Sequence, residues 1–328
     1  MSNEFNIQIT SLTDRTERIK TYLDNQGYPG KDTGFVTLKD LYTHKDGGVT
    51  DWTGFPSSGK TYFVLDVLFN LSERYGQVNA LYVPDLGAYE DIVGKLIKMY
   101  TGKNVHPKYG NRASMADVFH SIPFLSKHFL ILEKADVKKP VTPTNLWEFV
   151  CDYKGAEGGV INNLLIDSWK NLYHDIGNKR EDQYLDYALS YRNELSEKYG
   201  KHFHTIAHAV KTEFEDSTGS DGKRKRRIPS AMDIKGGGAW FANGKSMATV
   251  DRPNFQETGV DVYIFKTKPE DVGKAGASIN QIFLDPQRGR YYEVINGQRH
   301  NPYDNIKFTK LYETKLPYKE SADDDLPF

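Results

Sequence analysis

A chain of 328 residues, 38% hydrophobic and 27% charged, is long enough for one sizeable core with extensions. Its 43 Lys and Arg against 44 Asp and Glu leave a formal net charge of -1, so any anion or nucleic-acid site must be local. The single cysteine, Cys151, excludes an intramolecular disulfide and a multi-cysteine zinc module. Residues 1–10 lack the basic start and apolar stretch of a signal peptide, and no run approaches the roughly 20 apolar residues of a membrane span, so a cytoplasmic protein is expected.

Residues 1–35 are polar apart from a helix-like stretch over 15–23, where Ile19, Tyr22 and Leu23 follow helical spacing. Alone it is too short to be stable. Apolar strands then alternate with amphipathic helices: strand Val49–Thr53, helix Lys60–Tyr75, strand 80–83, helix 89–100, strand 129–132, helix 144–153, strand 160–166, helix Glu181–Tyr199 and strand 203–207. This alternation predicts an α/β fold with a mainly parallel central sheet flanked by helices on both faces. After residue 209 a polar segment precedes strands over 246–250, 259–265, 278–284 and 290–294, which come without helices and predict antiparallel additions at the C-terminal sheet edge. From about Pro302 the chain is polar and finally acidic, so the expected organisation is a linker over 1–35, a core over 36–300 and a tail over 301–328.

Gly54-Phe55-Pro56-Ser57-Ser58-Gly59-Lys60-Thr61 fits the phosphate-loop pattern G-x-x-x-x-G-K-[ST], directly after a strand and opening a helix. Backbone N–H groups of such a loop wrap phosphates, aided by the positive end of the following helix. Lys60 would neutralise the β- and γ-phosphates of ATP or another NTP, and Thr61 would give its hydroxyl to Mg2+. A metal-holding carboxylate is expected at the end of a neighbouring apolar strand. Asp167, closing Asn163-Leu164-Leu165-Ile166-Asp167, is the candidate, with an ordinary helix-capping Asp as the other reading.

Lys223-Arg224-Lys225-Arg226-Arg227 is the strongest local charge run, set among Gly, Ser and Asp; it reads as a DNA-contacting loop or as a solvated one. The spacing of His202, His204 and His208 puts all three on one strand face, but no acidic or cysteine partner lies nearby in sequence to make a metal site of them. Trp169, Trp240 and Phe241 read as packing residues.

These motifs, in their order, resemble the hexameric replicative helicases of superfamily 4: DnaB, the phage helicase-primases and above all the mitochondrial Twinkle type. The resemblance runs from about Gly34 to Glu293. It rests on Gly34-Phe35 through Asp40-Leu41-Tyr42, the phosphate loop with Phe63, Leu65 and Asp66, and Leu81-Tyr82-Val83-Pro84-Asp85. Lys95-Leu96-Ile97 with Tyr100-Thr101-Gly102, Ile166-Asp167-Ser168-Trp169-Lys170 and Ile206-Ala207-His208 continue it, followed by Pro229 and Asp233-Ile234-Lys235-Gly236-Gly237-Gly238-Ala239-Trp240. The resemblance implies a RecA-like core and an ATP-dependent enzyme that forms a ring, typically a hexamer, on single-stranded and forked DNA. Asp85 would be the catalytic base and His208 the phosphate sensor. Lys266 and Lys268 would stand where the family places a lysine and an arginine finger that acts across a subunit boundary. Lys235, Gly236 and Gly237 would join the basic run in facing DNA, and the N-terminal helix would dock on the adjacent subunit.

Two positions depart from the family. Asp85 replaces a Glu, which shortens the reach of a water-activating base. Lys268 replaces an Arg and lacks its bidentate fork; two solvent-facing lysines on an edge strand are the other reading of Lys266 and Lys268. The tail, Asp323-Asp324-Asp325-Leu326-Pro327-Phe328, resembles the acidic tip of bacterial single-stranded-DNA-binding proteins and suits a polymerase, primase or other replication protein with an apolar pocket ringed by Arg or Lys. A solubilising end is the alternative. The compact format suggests a phage or a bacterial mobile element. Competing functions are a RecA-like recombination ATPase forming filaments and a slow nucleotide-binding replication adaptor.

Overall fold

The structure is a computed structural model that describes residues 12–24, 27, 29–106, 110–155, 158–210, 214–218, 224–268 and 272–304. Lys223 and the acidic tail Asp323 to Phe328 lie outside the described residues. The elements are α1 (Thr16–Asp24), β1 (Val49–Thr53), α2 (Lys60–Tyr75), β2 (Asn79–Tyr82), α3 (Tyr89–Thr101), α4 (Met115–His128), β3 (Phe129–Ile131), α5 (Pro143–Asp152) and β4 (Asn163–Asp167). They continue with α6 (Glu181–Tyr199), β5 (His202–Ile206), β6 (Phe214–Thr218), β7 (Arg224–Arg226), α7 (Gly237–Asn243), β8 (Ser246–Asp251), β9 (Gly259–Thr267), β10 (Gly276–Asp285), β11 (Arg290–Ile295) and β12 (Gln298–His300).

Ten strands form one sheet in the order β12-β11-β10-β9-β8-β1-β5-β4-β2-β3, and β6 pairs with β7 in a separate antiparallel hairpin. The strands from β3 to β8 are parallel, and β9 to β12 run antiparallel at the edge. One expectation needs correction: β8 belongs to the parallel part, in register with β1, because the short helix α7 returns the chain before it. The antiparallel addition begins at β9.

Side chains alternate across a strand, and both faces here are covered. Trp52, Leu81, Leu165 and Ile206 enter the core beneath α2, α3 and α4, while Val49, Ala80, Tyr82, Leu164, Ile166 and Phe203 enter the core beneath α5 and α6. That is why β4 reads as a continuous apolar run, Leu164-Leu165-Ile166, rather than as alternation, while β1 and β5 place polar side chains at buried positions. Helix α4 was not part of the expected series. Its start is written in Ser114 and Asp117, which cap each other's turn, but Pro123 interrupts its pattern.

Two buried ion pairs tie helices to the sheet. Arg192 of α6 donates both terminal nitrogens to Asp51 of β1, at 2.5 and 3.0 Å, with neither side chain exposed. Arg290 of β11 pairs with Asp66 of α2, whose other oxygen accepts the Tyr291 N–H at 2.5 Å. From Lys31 onward the N-terminal segment packs on the core: Asn70 donates to the Thr33 carbonyl at 2.9 Å, and the rings of Phe35 and Phe63 lie 5.2 Å apart. Helix α1, by contrast, leaves Ile19, Tyr22 and Leu23 exposed.

Candidate functional site

The C-terminal ends of β1, β2, β4 and β5 converge on one corner of the sheet, where crevices of parallel sheets accept ligands. The loop from Gly54 to Gly59 leaves β1 there and opens α2. Its shape depends on two glycines. A Cβ on Gly54 would run into the Val250 carbonyl, and one on Gly59 would sit 2.6 Å from the Tyr291 hydroxyl, with φ at +146° and +93°. Ser57 also adopts the left-handed region, at φ 62°. Pro56, Ser57 and Ser58 thus form a tight arch, with Ser58 buried.

Lys60 is buried inside this arch. Its ammonium donates to the carbonyls of Gly54 at 3.0 Å and Phe55 at 2.7 Å and approaches the Ser58 hydroxyl at 3.4 Å. Burial pulls its pKa down to about 8, with the charge of Asp167 opposing and that of Lys170 reinforcing the shift. A cation so placed has only neutral acceptors, and an anion drawn into the loop would be a better partner. Beside it, the Thr61 hydroxyl donates to Asp167 at 2.5 Å. Burial pushes the Asp167 carboxyl up and Asp85 adds to the shift, while the Thr61 hydrogen bond counters it. A hydroxyl and a buried carboxylate in this arrangement can hold a hard divalent cation.

Asp85, in the turn after β2, faces Asp167 from the next strand. Its two oxygens accept from the Asn171 amide at 2.6 Å and the Ser168 hydroxyl at 3.0 Å, and the His208 imidazole lies 3.7 Å away. Burial pushes the carboxyl up, but those two hydrogen bonds, with Lys170 and His208, outweigh it and hold the pKa below the usual range. His208, just past the end of β5, is pushed down by burial and by Lys60 and Lys170, so its ring is neutral near pH 7. Neither of its ring nitrogens has a partner within hydrogen-bonding distance. Ligand atoms of Asp85, Asp167 and His208 lie within 4.8 Å of one another.

Sequence reasoning gave roles to Lys60, Asp85, Asp167 and His208 but none to Lys170 or Ser168, quoted only as part of a motif, or to Asn171; the grip of Ser168 and Asn171 on Asp85 depends on the turn after β4. It also missed Tyr291, whose hydroxyl reaches the Gly59 carbonyl at 3.3 Å across the sheet. Lys266 and Lys268 stand elsewhere. Strand β9 runs antiparallel to β8, so its end faces the beginnings of the parallel strands, opposite the phosphate loop. There Lys266 donates to the Phe241 carbonyl and Lys268 to that of Ala242, at 3.2 Å for the latter, so both cap the C-terminus of α7.

The hairpin β6–β7 carries Arg224, Lys225 and Arg226 on a backbone rooted at the same sheet end as His208, since Val210 donates to the Asp233 carbonyl at 2.7 Å. Arg227 pairs with Asp233 at 2.6 Å, and Lys235 pairs with Glu181 at 2.8 Å while remaining 71% exposed. Gly236 opens α7 with φ at +73° and packs on Leu185, next to Gly237. Trp169 and Trp240 meet edge to face at 5.1 Å in the core, as packing residues.

No family model matches the sequence, nor does any curated protein. Solved structures do. The ATPase domain of a phage helicase matches with a TM-score of 0.68 at 17% sequence identity, over 87% of this chain and 99% of that one. A DnaB-like replicative helicase, solved with attention to its interactions with primase, matches with a TM-score of 0.65 at 17% identity, over 87% of this chain and 67% of that one. The chain therefore has the RecA-like fold of DnaB-like helicase ATPase domains. No helix among the described residues is long and apolar enough to cross a membrane.

Proposed function

We propose that the chain is an ATP-dependent replicative DNA helicase that assembles as a ring, translocates on single-stranded DNA and unwinds duplex DNA. The observation that carries this reading is the arch of Gly54 to Thr61, with Lys60 buried on the loop's own carbonyls and Thr61 bonded to Asp167, in a fold shared with DnaB-like helicase ATPase domains. The residues fit ATP and Mg2+. Lys60 and the loop N–H groups would hold the phosphates, and Thr61 and Asp167 would hold the metal, which supplies charge neutralisation at the phosphoryl group. Asp85 would orient and deprotonate the attacking water, with Ser168 and Asn171 fixing its carboxylate. Neutral His208, beside Asp85, suits a sensor that reports the state of the phosphates to the hairpin.

Lys266 and Lys268 lie at the far end of their own sheet, so a contact with phosphates requires a second protomer. A ring supplies one. Helix α1 offers Ile19, Tyr22 and Leu23 for docking on a neighbouring subunit, with residues 1–35 as the linker. DNA would follow the hairpin carrying Arg224, Lys225 and Arg226, with Lys223, Arg227, Lys235, Gly236 and Gly237 alongside. The acidic tail would recruit a primase, a polymerase or another replication protein.

The test is unwinding of a forked duplex with ATP and Mg2+, using Lys60→Ala as control. A nucleotide-binding adaptor is the second reading, favoured by the short, doubly bonded and acidified Asp85, a weak base. ATP turnover that single-stranded DNA does not stimulate would select it.

A further inference from the structure

The strand β5 histidines separate in space. His208 joins the phosphate-loop corner, whereas His202 and His204 point to the covered sheet face, where His44 of the N-terminal segment lies against them. Ring centroids are 4.0 Å apart for His44 and His202, 4.4 Å for His202 and His204, and 5.3 Å for His44 and His204. All three side chains are buried, and one ligating nitrogen from each lies within 4.8 Å of the others. Both ring nitrogens of His44 and Nε2 of His204 have no hydrogen-bond partner. A buried polar atom without a partner is costly, so three together on stacked neighbouring rings ask for an occupant.

We propose that His44, His202 and His204 form a binding site for an imidazole-seeking transition-metal ion, zinc(II) first, that clasps the N-terminal segment to strand β5. Three nitrogens leave one position for water, in keeping with a tetrahedral ion. The rings lie stacked with 27–29° between their planes, so bonds of about 2.0–2.1 Å require them to splay out of the stack as the ligand nitrogens close to roughly 3.4 Å. Burial above all keeps His44 and His204 well below the usual imidazole range and His202 at about 4, so the rings are neutral near pH 7 and no second proton has to leave them.

The surroundings fit as well. His202 donates its Nδ1–H to the Lys45 carbonyl at 2.6 Å, the orientation that metal-bound imidazoles use. Its Nε2 is held only by the Thr50 hydroxyl at 2.9 Å, and that hydroxyl has a second partner in Tyr42 at 2.9 Å, so turning it frees the nitrogen. His204 accepts the Trp52 indole N–H at Nδ1, at 3.1 Å, which places its own hydrogen on Nε2. A cation on Nε2 displaces that hydrogen. The hydrogen moves to Nδ1, which then no longer accepts from Trp52, and Trp52 is thereby a built-in reporter.

The test uses the full chain purified from zinc-supplemented medium, with metal content measured by plasma mass spectrometry. His44→Phe keeps a stacked ring without nitrogens, and His208→Ala removes the other cluster. About one zinc per chain is expected in wild type and in His208→Ala, and less than about a tenth of that in His44→Phe. Chelator-stripped wild type should show a lower Tm and altered Trp fluorescence, both restored by zinc, which keeps the proposal testable if His44→Phe does not fold. Wild type without zinc and without a zinc-dependent Tm, or zinc lost in His208→Ala and kept in His44→Phe, overturns it.

Discussion

At Lys60 a single side chain shows how burial and charge set binding. Its ammonium is held near a pKa of about 8 by burial, and a bound phosphate would raise that value. Nucleotide affinity should then be flat below pH 8 and fall above it, approaching tenfold per pH unit, as the free site loses its proton. Equilibrium titration with an ATP analogue between pH 7 and 9.5 checks this, and a flat profile to pH 9.5 would contradict it. Asp85 allows a second measurement. Asn171→Ala removes the donor on one oxygen and loosens the carboxylate, so kcat for ATP should drop about tenfold or more with little change in KM; equal effects on both would mean that Asn171 only supports the fold. At this scale the sequence was informative where a motif fixes chemistry, as from Gly54 to Thr61. It was silent where a hydrogen bond joins residues 86 apart, as with Asn171 and Asp85.

Elements depend on a few buried contacts that local patterns do not reveal. Arg192 on α6 and Asp51 on β1 are both fully buried, so removing one partner leaves an unpaired charge. Arg192→Leu should cost about 3–5 kcal/mol, and Arg192→Leu with Asp51→Leu should recover part of it; chemical denaturation of the three proteins measures the difference. Gly236 permits the left-handed turn that starts α7, and a side chain there would collide with Leu185, so Gly236→Ala should lower stability by about 1–2 kcal/mol. The alternation of strands and helices gave away β1, β2, β4 and β5 because each is a short segment set between amphipathic helices, although β1 and β5 bury polar side chains such as Asp51 and His204. It missed α4, whose Pro123 breaks the helical pattern, and it misassigned β8, because the glycine-rich start of α7 hides a helix whose return makes that strand parallel.

For the whole molecule, one chain holds the arch of Gly54 to Thr61 with Asp167 and Asp85 at one end of the sheet and Lys266 and Lys268 at the other. That separation is what the reading as a ring explains. Replacing Lys223 through Arg227 by neutral residues should weaken single-stranded DNA binding and flatten its salt dependence, by a slope of about 0.7 for each phosphate no longer neutralised, while leaving ATP binding intact. Unchanged DNA affinity would remove the hairpin from the DNA path. On the reading as a ring the site is completed by residues of two copies, which the family resemblance implied but no residue pattern within one chain could show. The most direct measurement is unwinding of a forked DNA duplex by the purified chain with ATP and Mg2+. Strand separation that depends on hydrolysis and disappears in Lys60→Ala is the predicted result, and ATP binding without any strand separation, in wild type as in Lys60→Ala, would contradict the helicase reading.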